Sequence, residues 1–155
     1  MTKTKPKRKL FLGKNWFHAT IPGPGIQANS SIPGNDRQHF FSSMLLNMDT
    51  GGMCCVGKFL QTCGVSKTEL SGIRVATNLG KANLPKMTKW LINVSGISES
   101  RDAQILYAAN DGDVGKIGKQ TLFTGKENKK EFKIKQRAII KKVFARHNVK
   151  VVFED

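Results

Sequence analysis

What constrains this chain most is the segment from Lys116 to Lys150, KIGKQTLFTGKENKKEFKIKQRAIIKKVFARHNVK. It holds 12 of the chain's 26 Lys and Arg against two acids, Glu127 and Glu131, a net +10 of the chain's +15. Charge of one sign at this density repels itself, so any fold must spread it over solvent-facing surface or meet it with an anion. A polyanion is the usual relief, and nucleic acid, DNA or RNA, is the expected partner.

The second half of the segment carries a helical pattern. If residues 128–147 are helical, Phe132, Ile139, Ile140, Val143 and Phe144 share one side, while Lys130, Lys133, Arg137, Lys141 and Lys142 lie mainly elsewhere. That spacing predicts a docked helix with a basic outer surface. Asn148 is its expected end, and Val149 to Phe153 reads as a short β-branched strand. The alternation Phe132-Lys133-Ile134-Lys135 also suits a strand, which leaves the start of the helix open.

At 155 residues the chain has room for one domain with a real core. A hydrophobic fraction of 39% supports folding, and acids scattered through a sequence of pI near 10.1 fit a folded basic protein better than a polycationic tail. No apolar run reaches membrane-spanning length, and the basic start lacks the apolar core of a signal peptide. An intracellular, reducing setting is expected, whether nucleus, ribosome or virion. No membrane partner is expected. Cys54, Cys55 and Cys63 are odd in number and sit in apolar sequence, which reads as reduced, buried thiols.

Taken in order, residues 1–20 form a basic arm and its anchor, 21–36 a Pro/Gly-rich linker, and 37–155 a single basic globular domain. The arm, residues 1–9, carries Lys3, Lys5, Lys7, Arg8 and Lys9 around Pro6 and reads as unstructured in isolation, suited to lying along phosphates or to serving as a nuclear import signal. Residues 10–20 are apolar enough to anchor it as a strand, and Trp16 and Phe17 beside Lys14 and His18 are candidates for base stacking or for core.

From Arg37 the pattern turns helical. Phe40, Phe41, Met44, Leu45 and Met48 mark one helix; Met53, Val56, Phe59, Leu60 and Cys63 mark a second, which Gly57 weakens. Ser66 and Glu69 stand in capping-box register before Leu70 and Ile73. Pro85 opens a further helix with Met87, Trp90, Leu91 and Val94 inward and Gly96 as its stop. Ser98 or Ser100 caps a last one using Ala103, Ile105, Leu106 and Ala109, before the turn at Asp111-Gly112. The expected class is mainly α, a small helical bundle with a helix-turn-helix-like segment, plus the C-terminal basic helix and strand; α+β is the alternative.

Residues 56–74 carry the sharpest local signal. Two short helices meeting at Gly64 resemble a helix-turn-helix, which would aim Lys67, Thr68 and Ser71 outward at phosphate or base edges. Leu60 is bulkier than that crossing prefers, and an ordinary helical hairpin explains the same pattern. Residues 111–121, DGDVGKIGKQT, fail the phosphate-loop spacing and put Gln120 where Ser or Thr would hold magnesium, so a basic glycine loop approaching phosphate is the better reading.

Catalysis has little support. The chain lacks Cys-x-x-Cys and His-x-x-x-His pairs, and its eleven acids are spread among the bases, so neither a cofactor nor a metal is expected. The reading is a non-enzymatic nucleic-acid-binding protein using Lys3, Lys5, Lys7, Arg8, Lys9, Lys67, Thr68, Ser71, Lys116, Lys119, Lys129, Lys130, Lys133, Arg137, Lys141, Lys142 and Arg146. The rivals are a small viral coat protein or nucleoprotein, which would form a homo-oligomer around its genome, a ribosomal RNA-binding protein, and a small nuclease, which would cleave with a metal ion and lose activity on changing Asp111 or Asp113.

Overall fold

The computed structural model describes residues 8–12, 45–46 and 53–153. Helices dominate them and short strands accompany the helices, an α or α+β arrangement. In order they are β1 (Arg8–Leu12), α1 (Cys55–Thr62), α2 (Lys67–Leu70), three 3₁₀ segments (Ala76–Leu79, Lys81–Asn83 and Lys86–Leu91), α3 (Arg101–Asp111), β2 (Lys116–Ile117), β3 (Gln120–Thr121), α4 (Lys129–Arg146) and β4 (Val149–Phe153). Phe40, Phe41, Met44 and Met48 of the expected first helix, the linker, Trp16, Phe17, Lys3, Lys5 and Lys7 lie outside the described residues, whereas Leu45 of that helix is not helical: its amide donates to the Ile73 carbonyl at 2.8 Å and the next residue, Leu46, bridges to Ser71.

The helix α4 forms where the periodicity places it. Its N-cap Asn128 accepts from the Glu131 amide at 2.8 Å through its side-chain oxygen. The chain leaves the helix through Asn148, at φ 61°, a left-handed conformation that Asn tolerates better than most residues. Its inner face buries Gln136, Ile139, Ile140, Val143 and Phe144, and Phe132 is half-buried, so the strand alternative for 132–135 gives way to the helix.

Phe144 joins Phe59 of α1 and Trp90 in an aromatic cluster with centroids 5.1 to 5.9 Å apart. Gln136 donates to the carbonyls of Ala109 (3.1 Å) and Asn110 (3.2 Å) at the end of α3, and the Asn110 side chain accepts from the Cys55 amide at the start of α1. Three helices therefore meet at one buried polar knot whose hydrogen bonds satisfy helix-end groups.

The first and last described strands pair in parallel: Arg8 with Val149, Lys9 with Lys150, Leu10 with Val151, Phe11 with Val152 and Leu12 with Phe153. Leu10, Leu12, Val149 and Val151 turn inward and are buried; β1 packs on α1 and β4 on α4. Arg8 and Lys9, expected in an unstructured arm, are therefore ladder residues, since the chain following them supplies the apolar alternation a strand needs.

Two local expectations change. The α-helix from Pro85 to Gly96 is instead a 3₁₀ segment ending at Leu91. Asn93 closes it off: its side-chain oxygen accepts from Ser95 and from the Ser98 amide, and its own backbone amide donates to the Ser98 carbonyl at 2.8 Å, so the chain reverses. Val94, expected inward, lies fully outside on that turn, and Met87 is exposed. The second helix of the supposed helix-turn-helix is α2, opened by the predicted Ser66–Glu69 capping box but only four residues long. Ser71 is past its end in extended backbone, half-buried and bridged to Leu46 rather than aimed outward.

Cys54 and Cys55 are buried, Cys63 is half-buried, and all three are free thiols. Burial pushes Cys54 up to about 12 despite the Gly57 amide donating to its sulfur at 3.3 Å. Gly57 carries a tighter constraint, because a Cβ added there would lie 1.9 Å from the Leu45 carbonyl oxygen. Helix propensity alone makes Gly57→Ala stabilising by roughly 0.5–1 kcal/mol. A clash with backbone cannot be relieved by a rotamer change, so the opposite sign is expected: Gly57→Ala destabilises by roughly 1–3 kcal/mol in urea unfolding, the usual scale of overpacking.

Candidate nucleic-acid interface

The sequence of α4 puts eight Lys and Arg against one Glu on its 18 residues. At about 100° per residue, Lys130, Lys133, Arg137 and Lys141 run along one flank, and Lys135, Lys142 and Arg146 along the other. Between them, Ile134, Ala138 and Ala145 form a crest on the outer side.

On the α3 side Lys135 pairs with Glu127 at 2.7 Å and Arg146 with Asp102 at 2.7 Å. Asp102 also meets His147 Nε2 at 2.6 Å, and the His147 ring stacks on Trp90 at 3.7 Å with a 4° interplanar angle, which fixes this end of α4. On the β4 side Arg137 and Lys141 sit over the Phe153 ring at 4.8 and 5.5 Å. Lys129, Lys130, Lys141 and Lys142 are exposed, and among the described residues no carboxylate forms a salt bridge with them.

A second cationic group lies on the two-stranded sheet. Lys9 and Lys150 are paired by register and both are exposed, on the side opposite the buried Leu10, Leu12, Val149 and Val151. Like charges directly across strands oppose pairing. Phe11, 49% exposed, follows Lys9 on this same face.

The basic glycine loop is the β2–β3 hairpin, with Gly118-Lys119 at its turn and Lys116 and Lys119 exposed. A Cβ on Gly118 would come within 3.1 Å of the Arg101 side chain, so Arg101 joins this group although nothing in the sequence singles it out. Lys67 and Thr68 are exposed on the single turn of α2. Thus the structure gathers Lys130, Lys133, Arg137 and Lys141 on one helix flank, sets Lys9 apart on the sheet, and leaves Lys67 and Thr68 on a different element.

The N-terminus of α4 is not a vacant anion site. Glu127 accepts from the Thr124 amide (2.7 Å), the Gly125 amide (3.0 Å) and Lys135, beside Glu131 in the first turn. Among the described residues no three His, Cys, Asp or Glu gather to hold a metal ion, and no helix is long and apolar enough to cross a membrane. No family model matches the chain, and no curated protein or solved structure was found to be similar to it.

Desolvation alone would raise the Glu127 carboxyl, but its hydrogen bonds from Lys135 and Thr124 outweigh it and lower the pKa from 4.5 to about 2. A depressed carboxylate contributes stability that is present above pH 4.5 and lost as pH falls toward 2. Accordingly, Glu127→Gln should be less stable than wild type at pH 6, and the difference should shrink steadily as pH falls from 4.5 toward 2, as read by urea unfolding across that range.

Proposed function

We propose that the protein binds nucleic acid without catalysis and holds it by its phosphates. The observation that carries this reading is α4: a helix with eight cations and one acid, docked through a separate apolar face. A solvated lysine-rich helix is the plain alternative. Against it stand Lys9 and Lys150, a second like-charged group placed face to face, where an anion removes a repulsion the fold otherwise bears.

Groove reading by Lys67, Thr68 and Ser71 has less behind it. An α2 of four residues is about 6 Å long, too short to lay successive side chains along a major groove. Phosphate binding needs no such helix, and it predicts steep salt dependence and weak sequence preference.

The test is a filter-binding titration over salt. Replacing Lys130, Lys141 and Lys142 by Gln should lower the slope of log affinity against log salt by about 0.7–0.9 for each phosphate left without its cation. Lys58→Gln with Lys81→Gln, on surfaces outside the proposal, should leave the slope unchanged. An α4 triple variant with wild-type affinity and slope removes the reading.

A further inference from the structure

Phe11 is the one exposed aromatic side chain among the described residues; the other rings are buried or half-buried. Its neighbours make that exposure specific. Strand alternation puts Lys9 on the same face two residues earlier, about 6.6 Å along β1, and the parallel register sets Lys150 across from Lys9 and half-buried Val152 across from Phe11. A flat ring therefore stands beside two cations that repel each other.

Resting on the nucleic-acid reading above, we propose that this face takes single-stranded nucleic acid, with one base stacked on Phe11 and the adjoining phosphates held by Lys9 and Lys150. The chemistry favours a single strand over a duplex. A stacking ring needs a bare base face, which a duplex supplies only after a base pair is opened. Rings on sheet faces beside cations bind bases regardless of identity, because every base has a π-face. The charge also selects the occupant: an apolar protein surface would satisfy Phe11 and leave Lys9 and Lys150 opposed, whereas a phosphate chain answers both.

The experiment compares fluorescence anisotropy of a labelled thymidine oligomer and of a duplex of equal length with wild type, Phe11→Leu and Phe11→Tyr. Phe11→Leu keeps apolar bulk, and Phe11→Tyr keeps the ring, so a folding defect would affect both and appear in their melting curves. The expected result is a loss of roughly five- to a hundredfold for the single strand with Phe11→Leu. Duplex affinity should hold, and Phe11→Tyr should match wild type.

Lys9→Gln with Lys150→Gln should lower the single-strand salt slope by about 0.7 per phosphate released while raising the melting temperature, as cross-strand repulsion is relieved. The inference is overturned if Phe11→Leu binds the single strand as wild type does, if it weakens single strand and duplex equally, or if it instead abolishes self-association. Wild type that binds neither nucleic acid fails the broader reading. Weakening by the α4 variant alone leaves that reading standing and removes this one.

Discussion

The docking of α4 is the constraint on which the surface depends. Five like-charged neighbours at three- and four-residue spacing, among them Lys129 with Lys133 and Lys142 with Arg146, cost about 0.2–0.5 kcal/mol each in a helix. Burying Ile139, Ile140, Val143 and Phe144 contributes about 1.5–3 kcal/mol per side chain. Burial wins by several-fold, so the helix can hold its cations outward. Gln136 then fixes the rotation of α4, because its bonds to Ala109 and Asn110 are made in one register.

Pairing of β1 with β4 carries the same logic to the two outermost strands. Leu10 and Leu12 have to be buried, and period-two alternation sends Lys9 and Phe11 outward as a consequence. The same alternation in β4 sends Lys150 to that side. Packing β1 on α1 and β4 on α4 thus creates a cationic face with a ring on it as the other side of the core. Glu127 and Asp102 pair with Lys135 and Arg146 on the α3 side, and Lys141 lies beside Phe153.

Where the determinants are local, the structure is legible in the sequence. The α4 face is written in Ile139, Ile140, Val143 and Phe144, and the α2 cap in Ser66 and Glu69; Ser100 and Gly112 bound α3 as expected. Where they are distant, it is not. Nothing near Arg8 announces a partner at Val149, and so Lys9 reads as part of an arm and Lys150 as the end of the basic segment, although alternation around Leu10 and Val151 already marks both as outward. Gly57 reads as a weak helix residue until the Leu45 carbonyl is seen against it. Asn93 disappears inside an apparent helix, because Trp90, Leu91 and Val94 have helical spacing whether or not the backbone continues.

The most direct measurement is lysine acetylation footprinting, read by mass spectrometry with and without saturating single-stranded nucleic acid. Lys9, Lys130, Lys141, Lys142 and Lys150 are expected to become protected while Lys58 and Lys81 react as before. Equal reactivity in both samples, or protection centred on Lys58 and Lys81, would contradict phosphate binding by these surfaces.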